Sequence, residues 1–266
     1  MKKIGLVAGN GKFPVYFAKE ASKKGIDIYS VLLEDEADRN IEGIVKNYIW
    51  LSPGKLSGIL KFFKKNGIKE VVLAGQVKHR KLFEIRPDVR AMKLLFSIKD
   101  RKADTILKAL TDEFKKEGIN ILSSITFLED KLVKEMVYTK KRPSRKDYED
   151  IEFGYRIAKK IGEVDIGQTV VVKEKAVIAV EAMEGTDECI KRAGEITNEF
   201  TVVKTAKPKQ DLRFDVPVIG KRTIEVLIEA KGKVLAVEAG KTLFFDEEEA
   251  VDIADKNGII IVGVKY

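Results

Sequence analysis

Short apolar runs, each closed by glycine or a polar cluster, alternate along this chain with stretches whose apolar residues recur every three or four positions. Residues 4–8 form such a run and end in Gly9-Asn-Gly11, after which residues 13–24 show helical spacing up to Gly25. Residues 28–33 supply a second strand and 44–51 a third with its approach. Residues 55–66 read as a helix stopped by Gly67, and 71–74 as another strand. Helical patterning then dominates from 87 to 116, with a clear apolar face over 105–114, before 119–122 returns as a strand. Strand and helix in alternation predict a parallel sheet with helices on both faces, whose ligand crevice lies at the carboxyl ends of the strands. Gly9 to Gly11 and the stretch 75–78 both fall there.

Lys140-Lys-Arg-Pro-Ser144 breaks the pattern and marks a boundary. Residues 147–161 follow as a helix, with Ser144 placed to cap its start and Gly162 at its end, so that it bridges two lobes or begins the second. Beyond it, β-branched runs at 170–173, 176–180, 201–205, 234–237 and 259–262 alternate with helical segments near 187–193, 221–231 and 247–256. The expected fold class is therefore α/β in two lobes. Residues 1–140 form an N-terminal Rossmann-like domain with a mostly parallel sheet, 141–162 a linker helix, and 163–266 a C-terminal mixed α/β domain that carries the catalytic groups.

Composition narrows the chemistry. No apolar stretch approaches the roughly 20 residues that cross a bilayer, and Met1-Lys-Lys opens a strand rather than an export signal, so the expected location is the cytoplasm. One cysteine, Cys189, and one histidine, His79, exclude a disulfide and any site needing several sulfur or imidazole ligands. A metal, if used, must sit on carboxylates, which suits Mg²⁺ or Mn²⁺. The net charge is +8, yet its 50 basic residues are interleaved with 42 acids and no aromatic-basic motif accompanies them, so nucleic acid is not the expected partner.

Four stretches concentrate reactive side chains. Gly9-Asn10-Gly11 before a helix suits close approach to a phosphate, but the third glycine of the dinucleotide fingerprint and the P-loop Lys-Ser/Thr are missing; a plain tight turn is the competing reading. Gly75-Gln76-Val-Lys78-His79 offers an amide and cations at a strand end, against which stands an ordinary surface histidine. Asp100 and Asp104 lie i,i+4 and share a helix face, or simply a solvated one. Glu184-Gly-Thr186-Asp187 resembles a helix start, where capping alone would explain Thr186 and Asp187. The arrival of Lys207, Gln210, Arg213 and Asp215 adds chemistry, because carboxylates beside several cations are what a metal-bridged diphosphate requires.

Taken together, Gly5-Leu-Val-Ala-Gly-Asn-Gly-Lys-Phe-Pro14, Ala74-Gly-Gln-Val77, Gly167-Gln-Thr-Val-Val-Val172, Ala179-Val-Glu-Ala-Met-Glu-Gly-Thr-Asp187, Lys207-Pro208, residues 213–220 and Ala236-Val-Glu-Ala-Gly240 resemble the LpxI-type UDP-2,3-diacylglucosamine pyrophosphatases of lipid A biosynthesis. The likeness spans nearly the whole chain. It implies a two-domain, Mg²⁺-dependent hydrolase that splits a lipid-linked UDP-sugar, UDP-2,3-diacylglucosamine, into UMP and 2,3-diacylglucosamine 1-phosphate. Peripheral contact with the inner membrane follows from such a substrate. Asp215 matches the family's critical aspartate. Where that family carries Gly-Asp-Asp in its first lobe, this chain has Ala103-Asp104-Thr105, so only Asp104 carries over.

The resemblance points to Asp215 and Asp104; with the chemistry of the neighbouring residues, the expected catalytic groups are Asp215, Glu184 and Asp187 and the expected metal ligands Asp215, Asp187 and Asp104. Substrate is expected to touch Gly9, Asn10, Gly11, Gly75, Gln76, Lys78, Gln168, Thr169, Thr186, Lys207, Gln210 and Arg213. The acyl chains call for an apolar cleft between the lobes or within the second. Two other readings stand beside this one: a non-catalytic lipid- or nucleotide-binding protein, and another nucleotide-sugar enzyme.

Overall fold

The computed structural model describes residues 2–75, 77, 86–99, 103–208, 211, 213 and 216–266, without the side chains of Ala103 and Asp104. It divides into two compact units, Met1–Glu129 with Leu212–Asp215, and Asp130–Asp211 with Val216–Tyr266.

The first unit takes the expected alternation. Strands β1 (Lys3–Ala8), β2 (Asp27–Leu33), β3 (Asn47–Leu51), β4 (Glu70–Ala74) and β5 (Asn120–Ile121) form a sheet in the order β3-β2-β1-β4-β5, with every pairing parallel. Helices α1 (Phe13–Lys23), α2 (Leu56–Lys65), α3 (Val89–Ser97) and α4 (Ala103–Lys116) accompany it. The core packs Val31, Leu60, Phe63, Val71, Phe114 and Ile119 together, drawing on strands and on the apolar faces of α2 and α4. Parallel strands covered on both faces need apolar side chains at successive positions, which is why Val31, Leu32 and Leu33 are all buried.

In the second unit β6 (Thr169–Lys173), β7 (Ala176–Val180), β8 (Thr201–Lys204), β10 (Val234–Glu238) and β12 (Ile260–Val264) form a mixed sheet in the order β12-β10-β8-β6-β7. Strand β6 runs antiparallel to both neighbours, and the pairs β8·β10 and β10·β12 are parallel. Its α/β class, like that of the first unit, is the one the sequence predicts. Helix α5 (Arg145–Glu163) lies on one sheet face, where Ile151 and Tyr155 meet Val203, Ala236 and Ile260. Helices α6 (Thr186–Ile196), α7 (Lys221–Glu229) and α8 (Glu247–Lys256) cover the other, where Ile190, Leu227 and Ala254 meet Val202, Leu235 and Ile261. Alternate residues of β8 and β10 thus feed opposite layers, as the period of a strand dictates.

Helix α5, read from sequence as a connector, is therefore a packed layer of the second unit. Ser144 caps it as expected, and the full capping box forms: Ser144 Oγ accepts from Asp147 N–H while Asp147 accepts from Ser144 N–H at 2.8 Å. A two-stranded parallel pair, β9 (Val218–Ile219) with β11 (Leu243–Phe244), was not expected. Among the described residues no helix is long and apolar enough to cross a membrane.

Candidate functional site

In the first unit the chain leaves β1 toward β2 on one side and reaches β4 on the other, so the sheet order reverses between β1 and β4, the place where open α/β sheets leave a crevice. Gly9, Asn10, Gly11 and Gly75 meet at that point. Gly9 N–H donates to Ala74 O at 2.8 Å, and Asn10 Nδ2 donates to Glu36 O at 3.3 Å. Gly75 has φ +83°, and a Cβ there would lie 2.5 Å from Asn10 O and 2.8 Å from Gly9 C. Only glycine fits that approach. Helix α1 starts two residues beyond Gly11 with no side chain capping its first turn.

A residue that sequence reasoning missed stands beside this turn. Ser124 is fully buried, and its Oγ lies 2.7 Å from Arg213 O and 3.1 Å from Leu73 O, anchoring a backbone two residues before Asp215. The polar pair Ser123-Ser124 directly after a strand was the available signal. Gln76, Lys78, His79, Gln210, Asp215 and Asp100 lie outside the described residues. So does the side chain of Asp104, which belongs to the first turn of α4.

The second unit gathers polar side chains at the edge formed by the carboxyl ends of β7, β8 and β10 and the start of β6. Thr186, the first residue of α6, is the hub. Its Oγ1 donates to Glu181 Oε1 at 3.0 Å and accepts from Lys204 Nζ at 3.0 Å, with Thr169 Oγ1 at 3.4 Å. Glu181, Lys204 and Thr169 are all buried. The capping role open to Thr186 and Asp187 is not taken: the N-cap is Gly185, in the left-handed region at φ +84°, and no side chain caps the helix. Thr186 is drawn inward because a buried ammonium and carboxylate need a partner more than an exposed helix end does.

Gln168 and Thr205 extend the same edge. Thr205 N–H donates to Gln168 O at 2.9 Å, and Gln168 N–H to Glu181 Oε2 at 3.4 Å. Gln168 Oε1 and Thr205 Oγ1 are buried and have no hydrogen-bond partner among the described residues. Gly167 is fixed by contact here, since a Cβ would fall 2.0 Å from Glu181 O.

Next to these, Glu238 ends β10 and is buried. It accepts from Lys159 Nζ, from Ala206 N–H at 2.8 Å and from Lys241 Nζ at 3.0 Å. Burial pushes its carboxyl up, but Lys159, Lys241 and the Ala206 N–H outweigh that and hold it below the usual carboxylate range. An acid closing the apolar run Val234-Leu-Ala-Val237 was the sequence signal that it faces inward.

The acids predicted for chemistry are engaged nearby. Glu184 is exposed; its carboxylate accepts from Ala182 N–H at 3.1 Å and pairs with Arg192 at 2.7 Å. Its own backbone N–H and Arg192 hold that carboxyl below the usual range. Asp187 lies 3.5 Å from Arg222 Nε, and Lys207 Nζ pairs with Asp165. Among the described residues no three His, Cys, Asp or Glu side chains converge as metal ligands. Asp187 is the one described member of the proposed magnesium set, and its charge is already met by Arg222. The described residues alone do not make a magnesium site. Cys189 is buried, and desolvation pushes its thiol up to about 12, which removes it as a nucleophile. A groove of about 640 Å³ beside α6 is lined by Glu184, Glu188, Lys191, Arg192 and Glu195 together with Val180 and Ala182, too charged for acyl chains.

Known proteins share this chain's length and order. A model of the LpxI N-terminal domain matches residues 3–131, and one of the LpxI C-terminal domain matches residues 134–262. The UDP-2,3-diacylglucosamine pyrophosphatase LpxI of Caulobacter vibrioides is 31% identical over 276 residues, covering 99% of this chain and 98% of that protein. Among solved structures, the biotin carboxylase domain of a thermophilic 2-oxoglutarate carboxylase bound to ADP aligns at 14% identity and TM-score 0.29, over 64% of this chain and 35% of its own. The N5-carboxyaminoimidazole ribonucleotide synthetase of Thermotoga maritima aligns at 18% and 0.25, over 68% of this chain and 42% of its own. This chain thus spans less than half of either structure, and at those scores neither carries an argument.

Proposed function

Because the chain belongs to the LpxI family, we infer that it hydrolyses the diphosphate of UDP-2,3-diacylglucosamine, releasing UMP and 2,3-diacylglucosamine 1-phosphate. The observation that carries this reading is the end-to-end likeness to a curated pyrophosphatase of that name. In this reaction water adds across one P–O bond of the phosphoanhydride, the bridging oxygen leaves with one phosphate, and the water proton is lost to solvent or to a base.

Hydrolysis needs the non-bridging oxygens neutralised and a water held in line. We assign the first task to Lys207 and Arg213, and the orientation of water to Asp215, with Glu184 and Asp187 assisting. Glu184 serves as an ionised acceptor, since its partners keep it deprotonated. Gln168, Thr169 and Thr186 contribute positioning, and the buried unpaired Gln168 Oε1 and Thr205 Oγ1 give a donor on the substrate two acceptors to meet. Gly9 to Gly11 and Gly75 let the backbone approach the substrate closely in the first unit, and Gln76 and Lys78 are its further contacts. Asp215, Asp187 and Asp104 are the candidate ligands of the proposed Mg²⁺, which would supply charge neutralisation on the diphosphate; Gln210 is a further candidate substrate contact, and no role above depends on the metal.

We further place the chain in the cytoplasm, in peripheral contact with the membrane that holds its substrate. The test is UMP release by the purified chain from detergent-dispersed UDP-2,3-diacylglucosamine, with EDTA or with added Mg²⁺ or Mn²⁺. Release with metal and none with EDTA is expected. Binding without UMP release would favour the non-catalytic reading, and NAD(P) binding another nucleotide-dependent enzyme. Asp215→Ala should cut turnover by about a thousandfold or more while substrate binding persists; near-wild-type turnover would remove Asp215 from the mechanism.

A further inference from the structure

A helix on the surface of a globular protein turns its polar side to water. Helix α3 turns apolar residues to water as well as to the core. Its inward side is held firmly: Leu94 is buried with Ala91 and Leu95 against the core, Arg90 bridges Glu113 at 2.8 Å and Glu117 at 2.6 Å on α4, and Asp88 caps the first turn through Ala91 N–H at 2.9 Å. On the opposite side Val89, Met92 and Phe96, spaced i, i+3, i+7, form one stripe, with Phe96 84% and Val89 65% exposed. Lys93 is exposed on the helix itself, and exposed Arg86 and Lys99 stand three residues before its first residue and two after its last. Among the described residues, Asp88 caps α3, and Glu113 and Glu117 are bridged by Arg90, with Lys116 and Lys64 adding to them.

An exposed apolar stripe on a helix, with a cation on the helix and others next to its two ends in sequence, has the chemistry of an interfacial anchor: rings and alkyl groups enter the acyl boundary while Lys and Arg reach acidic headgroups. From this juxtaposition we propose that the Val89-Met92-Phe96 face of α3 docks on the surface of a lipid bilayer rich in anionic headgroups. The proposal rests on the lipid-substrate reading above and adds to it the surface through which the enzyme meets its substrate's membrane. A second copy of the chain would need an anionic partner face for Arg86, Lys93 and Lys99. A bilayer supplies one without further assumption.

The full chain is tested against vesicles of phosphatidylcholine with phosphatidylglycerol and against phosphatidylcholine alone. Binding is expected only to the first and should weaken with salt. The triple change Val89→Ser, Met92→Ser, Phe96→Ser should lower vesicle binding by roughly tenfold or more, the scale set by withdrawing one large apolar side chain from contact. UMP release from detergent-dispersed substrate should stay at the wild-type rate in that variant, and release from vesicle-embedded substrate should fall with the binding. Lys93→Gln with Lys99→Gln should reduce binding to acidic vesicles alone. As an independent probe, Phe96→Trp should show a blue-shifted emission with acidic vesicles, against the background of the single native Trp50. Equal vesicle binding by wild type and triple variant, or no shift at Trp in place of Phe96, overturns the proposal. So does a wild-type dimer that the triple variant lacks, because a second copy would then cover the face. Absence of UMP release in detergent would sink the hydrolase reading while leaving the vesicle result legible.

Discussion

Glu238 shows how much one buried carboxylate organises. Two ammonium groups and the Ala206 N–H converge on it, so it fixes the backbone immediately before Lys207. Its pKa lies below the ordinary 4.5, so the stabilisation it contributes is complete above that value and disappears as pH falls through the lower folded value. Glu238→Gln should therefore cost about 1–3 kcal/mol at neutral pH and should lose less additional stability than wild type as the pH is taken below 4.5. Denaturant melts at neutral and acid pH measure both; parallel acid profiles would show that the carboxylate is not linked to folding. Gly167→Ala probes the same edge sterically. Its methyl would collide with Glu181 O, and a loss of about 2–4 kcal/mol is expected. The buried role of Glu238 was legible in its place after four apolar residues, whereas the threefold partnership was not, because Lys159 and Ala206 are distant in sequence.

Elements were legible where their period ran long enough to register. The five-residue runs of β6, β7 and β10 and the amphipathic α4 stand out in sequence, but β9 and β11 have two residues each, too few for any period. That α5 lies on the sheet was illegible because Ile151 and Tyr155 announce an apolar face without naming what it meets. Two element-level changes follow from the backbone. The β6-β7 hairpin turns through Glu174 and Lys175 at φ +51° and +58°, left-handed positions for side chains that disfavour them, supported by Asp150, which accepts from both N–H groups at 3.0 and 2.7 Å. Glu174→Asn with Lys175→Gly matches the residues to the turn and should raise stability by about 1 kcal/mol, visible as a higher Tm. Ser144→Ala removes half of the capping box of α5 and should lower stability by about 1 kcal/mol in the same assay. No change in either would mean that these ends are held by packing alone.

At the scale of the molecule, alternating strands and helices announced two α/β sheets, and the mixed second sheet came with β-branched runs too closely spaced for helical crossovers, as between β6 and β7. What the pattern concealed is that membership in a unit does not follow chain order. Each unit has its own core, so the fragment of residues 130–266 should fold alone with a cooperative melt, read by circular dichroism. A non-cooperative melt would contradict that independence. Residues 1–129 are in a different position, because Ser124 accommodates the carbonyl of Arg213, supplied from 89 residues further along. The first half is thus not a free cassette for recombination. A gene split after the first sheet would leave its product short of a piece encoded in the other, so insertions and exchanges in this lineage should respect that late segment as part of the early one.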